Sequence, residues 1–432
     1  MQRNITPRLI PALLAIAFSG TASASGFQLM GEQSASGIGN AGAGSAATAE
    51  NASTIFYNPA GMTKIAGRNA SLGLSIVNTS FTLDNQGSST GVFTNAGNGG
   101  DAGGLGYVPN MYLSWQVAPA WWVGLGIGAP FGLKTEYNTA WLGSAHSNSF
   151  DIKTFNINPS VAWRANDWIS LGAGVSLQMM KADYKKATAA GPATLPVFGS
   201  QPLYLYNTEL KADDTSWNWN VGVLLTPAEK TKIGLSYRST TSYTLSGDLT
   251  TSGPNPVLAS ALSSNADADI KLPDTFVFSV SQGIGDNWEL LGDISWTGWS
   301  SIPYVDIMRT SGASNGTTAL RLDTKFNDAW RFALGANYKL NEQVKLRTGI
   351  AYDNTPVPDA QHRLASLPDN DRTWLSVGAQ YKPTKDSALD VGFAYLFVKD
   401  APIQNLTTTG GLIKGTYSDS AWILGGQYSM GF

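Results

Sequence analysis

The chain of 432 residues has no cysteine. That excludes a disulfide framework, a thiolate metal site and a cysteine nucleophile. It has two histidines, His146 and His362. Both fall in expected outer loops and not on a strand face beside a serine, so a Ser–His hydrolase arrangement is not expected. Excess positive charge is missing too: 28 Lys and Arg stand against 31 Asp and Glu, a balance that does not point to nucleic acid. Long apolar runs are absent downstream of the first residues, so no membrane helix of about 20 residues is available. GNGGDAGG near Gly97 follows no strand–helix pattern and implies no phosphate loop.

What is present begins with a leader. Arg3 and Arg8 precede the short apolar run 9–18, and Ala22-Ser23-Ala24 is a small-residue cleavage site. Residues 1–24 therefore read as a signal peptide that exports the protein. Residues 25–66 are rich in Gly, Ala and Ser and carry no steady apolar period of 2 or 3.6. A short helix fits 46–52, and Asn58-Pro59 signals a turn. Yet Phe27, Leu29, Ile38, Ile55, Phe56, Tyr57 and Met62 are more apolar residues than a solvated linker needs. The expectation is an insert that cannot support itself and is held inside something larger.

Residues 67–432 supply the container. Trp330, Phe332, Leu334, Ala336, Tyr338 and Leu340 fall on one face, with Arg331, Ala333, Gly335, Asn337 and Lys339 on the other. The pattern returns in Val344 to Tyr352, Leu389 to Phe397 and Trp422 to Phe432. One face is apolar with aromatics near its ends; the other is small or polar. No helical segments are available to cover the apolar face, so it is read as lipid-facing. About fourteen such segments run near 68–82, 107–118, 121–131, 150–164, 167–185, 207–226, 230–246, 270–284, 286–299, 325–340, 342–353, 371–383, 387–398 and 416–432. Short connections alternate with long ones at 83–106, 132–149, 186–206, 247–269, 300–324, 354–370 and 399–415. The fold expected is all-β: a 14-stranded antiparallel transmembrane barrel in an outer membrane, both ends at the periplasmic rim, with 25–66 as plug. One chain closes such a barrel, so a monomer is expected.

Several residues stand out. Pro130 cannot donate to a ladder; either it kinks the third strand and opens the wall, or the strand ends before it and a loop begins. The inward charges Arg331, Lys345, Arg347, Asp353, Arg372 and Asp390 read as a network that fixes the plug. Leu195, Val197, Phe198, Leu203 and Tyr204 make an outer loop unusually apolar, which suits a capture groove for a hydrophobic ligand. Asp213-Asp214 and Asp267/Asp269 read as a solvated rim rather than a cation site. No metal or cofactor is implied.

SGFQLMGEQSASGIGNAGAGSAAT followed by YNPAGM resembles the start of the mature FadL family, outer-membrane long-chain fatty acid transporters. Similarity continues in Gly128 to Tyr137, in Asn327 to Gly335, in RTGIAYDNTPVP from Arg347 and in LPDNDRTWLSVGAQY from Leu367. It covers nearly all of the mature chain, fades in the long loops, and favours the fatty acid branch over the aromatic-hydrocarbon branch. The resemblance implies a hatch motif at Asn58, Pro59 and Ala60. It implies a lateral opening at Gly106, Ala129, Phe131 and Gly132, with Pro130 at the kink. Ligand capture would occur between loops 186–206 and 247–269, followed by passive diffusion through the lumen and sideways exit into outer-membrane lipid. An acidic head would be met by Lys186, where the family places an arginine. The family's second basic position holds Leu322 here, flanked by Arg321 and Lys325 as substitutes. Two other readings remain: an alkane or monoaromatic channel, and a closed surface receptor or adhesin barrel without transport.

Overall fold

The period-2 segments close into a ring of fourteen strands in the computed structural model, which describes residues 26–138, 140–190 and 204–432. Residues 1–24, expected to be a signal peptide, and the groove residues Leu195, Val197, Phe198 and Leu203 lie outside the described residues. In chain order the strands are β1 Arg68–Asn85, β2 Leu105–Ala118, β3 Trp121–Gly128 continued by Gly132–Glu136, β4 Ser149–Arg164, β5 Ile169–Ala190, β6 Tyr204–Ala228 and β7 Thr231–Arg238 continued by Thr241–Ser252. Then come β8 Ser264–Leu272 continued by Thr275–Ile284, β9 Trp288–Thr297 continued by Tyr304–Arg309, β10 Thr318–Asp323 continued by Ala329–Lys339, β11 Val344–Asp353, β12 Arg372–Thr384, β13 Ser387–Val398 continued by Ala401–Thr407, and β14 Gly411–Gly431. Each pairs antiparallel with the next, and β14 returns to β1 from Asn69↔Gly431 to Asn85↔Gly415. Closure pairs the strand edges everywhere but at the upper β2–β3 seam, as strands that cross a membrane require.

The alternation places its residues as the sequence implies. Trp330, Phe332, Leu334, Ile350, Tyr352, Val391, Phe393 and Leu424 are exposed on the outside of the ring. Trp115, Trp121, Trp163, Trp168 and Trp288 gather near the short turns, and Trp217, Trp219, Trp330 and Phe397 lie toward the long-loop end. These are the two aromatic belts of a membrane barrel. No helix among the described residues is long and apolar enough to cross a bilayer.

Five long connections are not simple loops. β5 runs to Ala190, paired with Tyr204 at the start of β6. Tyr304–Arg309 pairs with Thr318–Asp323, and Ala401–Thr407 with Gly411–Tyr417. Gly132–Glu136 and the outer part of β8 are likewise strand. Above the membrane both faces of these hairpins meet water or loops, so polar residues break the alternation that marks the strands below.

Residues 26–66 pack against inward side chains all round the ring. Asn40 Nδ2 donates to Asn337 Oδ1 at 3.0 Å and to the Thr348 carbonyl at 3.2 Å. Ser45 Oγ donates to Asp293 Oδ2 at 2.7 Å, and Thr63 Oγ1 to Ser170 Oγ at 2.7 Å. The segment forms helical turns at Ala35–Gly39, Thr54–Tyr57 and Pro59–Lys64, not over 46–52. The Ala46 N–H instead donates to Ser279 Oγ of the wall, and its carbonyl accepts from Asn58 Nδ2 of the same segment, which leaves no helical ladder there.

Candidate functional site

The site is built from the floor upward. Asn58 is fully buried and caps the turn Pro59–Lys64: its Oδ1 accepts the Ala60 N–H at 3.0 Å. Its Nδ2 donates to the carbonyls of Ala46 at 2.8 Å and Val223, on β6, at 3.0 Å. Pro59 follows at the first helical position, where a missing N–H costs nothing. The motif lies hard against the wall because two strand positions lack a Cβ. A Cβ at Gly222 would stand 2.0 Å from Asn58 Oδ1, and one at Gly172 2.3 Å from the Ala60 nitrogen. Gly222→Ala is therefore expected to weaken the seat of this segment by about 1–3 kcal/mol, the usual cost of overpacking. Faster proteolysis of 26–66 in the otherwise intact barrel is the readout.

A charged clamp holds the middle of the segment. Arg347 donates to Glu50 Oε2 at 2.6 Å and to Asp390 Oδ1 at 3.0 Å, and Lys345 Nζ lies 2.7 Å from Glu50 Oε1. Arg331 reaches the Ala41 carbonyl and stacks over Trp374. Arg372 pairs with Asp369.

One wall is interrupted. β2 pairs with β3 only from Met111↔Ile127 down to Ala118↔Trp121. Above this, Leu105–Asn110 pairs with β1 alone, and Gly132–Glu136 with β4 alone. The edges of this gap hold Gly106 and Val108 on one side and Ala129, Pro130 and Phe131 on the other. The strand breaks after Gly128, and strand paired with β4 resumes at Gly132, so Ala129-Pro130-Phe131 interrupts the ladder. The start of the segment fills the gap from inside. Leu29 N–H donates to the Pro130 carbonyl at 2.8 Å, and Gly132 N–H to the Phe27 carbonyl at 2.9 Å. Gln33 Nε2 bridges the carbonyls of Leu29 and Ala129 at 2.9 and 2.8 Å.

Above the gap the lumen is apolar. Phe27 packs edge-on against Trp299 at 4.9 Å between centroids and tilts against Phe131 at 5.9 Å. Trp299 in turn meets Phe326 at 6.0 Å. Higher still lies a cavity of about 510 Å³ that contains Lys186, His146, Arg321 and Leu322 in its lining. Lys186 also lines a neighbouring cavity of about 80 Å³ with Arg309, Leu210, Leu249 and Ile307. Lys186 is 8% exposed and has no acidic partner among the described residues. Burial pushes the His146 imidazole down to about 4, so it adds no charge there at neutral pH.

The head-group candidates thus separate. Lys186 and Arg321 share the larger cavity, but Arg321 is already bonded to Asp306 through both its Nε and terminal nitrogen and lies over Tyr304. Lys325 lines neither cavity; its N–H donates to the Pro303 carbonyl. Arg309 takes the second place beside Lys186, its Nη1 anchored on the Leu262 carbonyl at 2.6 Å and Ser264 Oγ at 3.0 Å. Arg309 carries no signal in the sequence as long as 300–324 reads as a loop. Its parity with Ile307, two residues earlier and buried, is the signal that places it inward once 304–309 is recognised as strand. Of the groove residues, Tyr204 enters only through its backbone, opposite Ala190.

The family described as outer membrane protein transport protein (OMPP1/FadL/TodX) matches residues 15–432. A long-chain fatty acid transport protein of Escherichia coli O6:H1 is 29% identical over 458 residues, covering all of both chains. Outer membrane protein P1 of Haemophilus influenzae is 30% identical over 422 residues, covering 91% of this chain and 90% of its own. Among solved structures, a Pseudomonas aeruginosa FadL homologue superposes with a TM-score of 0.86 at 23% identity, covering 94% of this chain and all of its own. The Pseudomonas putida toluene transporter TodX gives 0.68 at 18% identity, covering 88% of this chain and 94% of its own.

Proposed function

Because this chain belongs to the outer membrane protein transport family (OMPP1/FadL/TodX), and so serves the uptake of hydrophobic compounds across the outer membrane, we propose that its own substrates are long-chain fatty acids. The observation that carries this is Lys186, a buried cation beside Arg309 with no acidic partner among the described residues, at the top of an apolar lumen. A buried unpaired charge is costly unless something neutralises it. A carboxylate head does so, and its acyl chain prefers the Phe27–Phe131–Trp299 cluster to water. A neutral alkane or arene makes no use of the cations.

In this reading the acid lodges between the outer hairpins with its head on Lys186 and Arg309. It then moves by passive diffusion to the aromatic cluster. Withdrawal of Phe27 to Leu29 and release of the Gln33 side chain from Ala129 open the gap between β2 and β3, and the chain leaves sideways into outer-membrane lipid. Residues 25–66 act as the hatch, and Asn58, Pro59 and Ala60 set its pivot against Gly172 and Gly222. A single chain suffices.

The test is uptake of labelled oleate and of toluene by cells that carry the protein or lack it. Lys186→Met is expected to lower oleate uptake about tenfold, the worth of one charge-assisted hydrogen bond, with toluene uptake unchanged. Loss of toluene uptake with oleate uptake retained in the deletion strain would sink the fatty acid reading in favour of a hydrocarbon channel. No effect of deletion on either substrate would favour a barrel that only binds at the surface.

A further inference from the structure

Glu32 lies in the short turn Gly31–Gln33 and is 0% exposed. Neither of its carboxylate oxygens has a hydrogen-bond partner among the described residues. Its backbone is nonetheless fixed at the interrupted wall. The Glu32 carbonyl accepts from Ser75 Oγ of β1 at 2.7 Å and from Asn110 Nδ2 of β2 at 3.3 Å. Asn110 is the last β2 residue before the ladder to β3 begins, and the next residue, Gln33, spans the gap to Ala129. The hatch therefore carries a free carboxyl group to the inner side of the gap that the ligand must cross. Its other buried acid, Glu50, is doubly paired, so hatch acids are not left bare as a rule.

The groups around Glu32 keep it in play as an acid. Its own backbone N–H, then Arg331 on β10 and Arg372 on β12, favour its charged form, and Asp353 on β11 opposes it. Tyr112 on β2 and Tyr57 in the hatch are the remaining titratable neighbours, and their hydroxyls donate to the carbonyls of Gln33 and Met30. β1 offers only the Ser75 hydroxyl. Burial outweighs the arginines and pushes the carboxyl up to about 7, so proton-loaded and ionised forms are both accessible near neutral pH.

We propose that Glu32 hands a proton to the acid head of the departing fatty acid at the gap between β2 and β3. The inference rests on the fatty acid reading above. A carboxylate that leaves Lys186 and Arg309 for the hydrocarbon cannot take its charge along, because an isolated ion is far costlier in an apolar medium than the neutral acid. In the step, the O–H bond of the Glu32 carboxylic acid breaks and an O–H bond forms on the ligand carboxylate. The ligand leaves as the neutral acid, and Glu32 is left ionised. Charge and protons balance without a further reactant. In the dry gap both carboxyls lose their water, which brings their proton affinities together. Glu32 recovers its proton from solvent.

The experiment compares oleate with oleyl alcohol, the same chain with a neutral head, in proteoliposomes between pH 6 and 9, each corrected for protein-free vesicles. Wild-type oleate flux, relative to the alcohol, is expected to fall as Glu32 ionises, approaching about tenfold per pH unit well above its pKa. Glu32→Gln is expected to leave the alcohol flux intact, lower oleate flux and flatten the pH profile, and Glu32→Asp to restore the slope. A Glu32→Gln protein with the wild-type ratio and slope overturns the proposal. So does an equal loss of both fluxes, which marks a structural role alone. Wild-type protein that carries the alcohol but no oleate overturns the fatty acid reading, and the proton step falls with it.

Discussion

Cysteines placed at Gln28 and Phe131 are expected to stop uptake when oxidised and to release it when reduced. Gln28 and Phe131 form an isolated antiparallel bridge between the hatch and the interrupted third strand. Directly opposed residues in such a bridge have Cα atoms about 4.5–5.5 Å apart, within the range of about 4.4–6.8 Å that a disulfide spans. The native chain holds no cysteine, so the pair has no competitor. The bond holds Phe27 to Leu29 across the edges of the gap, where Leu29 and Gly132 already exchange hydrogen bonds with their opposite backbones. If the ligand leaves between β2 and β3, oxidised protein should carry no more oleate than membranes without it. The substitutions have side effects that the comparison absorbs. Gln28 Nε2 donates to Thr275 Oγ1 at 2.8 Å, and Thr297 Oγ1 donates back to Gln28 Oε1 at 3.1 Å. Losing both loosens the hatch tip and losing Phe131 thins the aromatic cluster, so the reduced double variant, rather than wild type, is the reference for the oxidised one. Equal uptake in the oxidised and reduced states would remove the gap from the route.

Much of this was legible in the sequence, and the reason is physical. A strand crossing lipid must alternate along its whole length, so Trp330 to Leu340 or Val344 to Tyr352 declare themselves residue by residue. Outside the membrane that constraint lapses. Tyr304–Arg309 and Ala401–Thr407 are paired strands, yet their sequences read as loop, and Arg309 was hidden with them. The gap between β2 and β3 is a ladder that fails to form, and no residue encodes a missing partner. Pro130 marks its place without saying whether the strand resumes, which is decided by the pairing of Gly132–Glu136 with Ser149–Lys153. The hatch is harder still. Its Ala-rich stretch suggests a helix at 46–52, but helix propensity is a weak prior, and here Ser279 of the wall and Asn58 of the segment itself are the partners of Ala46. Glu32 could not be told from Glu50 by sequence: one is clamped and the other bare because of strands about 300 residues further along the chain.

The clamped acid carries the second large effect. Arg347 is buried and serves Glu50 and Asp390 together, while Gln380 Nε2 also donates to Asp390. Arg347→Ala leaves two acids facing each other with only Lys345 to share. Breaking a buried pair by removing one partner costs about 3–5 kcal/mol, a sum comparable with everything else that holds a segment as small and glycine-rich as 26–66. The barrel keeps its fourteen ladders, so the loss falls on the hatch: small hydrophilic solutes should leak through the variant, and 26–66 should become cleavable. pH gives a separate check. Burial alone would raise the Glu50 carboxyl, but Arg347 and Lys345 outweigh it and hold it well below the usual 4.5. A carboxyl lowered by folding contributes stability that is complete above 4.5 and is lost as pH falls through the lowered value. Wild-type protein should therefore begin to leak only in strong acid, whereas Arg347→Ala should leak already at neutral pH and respond less to acid. Arg347→Lys keeps the charge without the fork that reaches two acids, and should fall between them. An Arg347→Ala protein as tight as wild type at neutral pH would mean that the hydrogen bonds of Asn40, Ser45 and Asn58 hold the hatch by themselves.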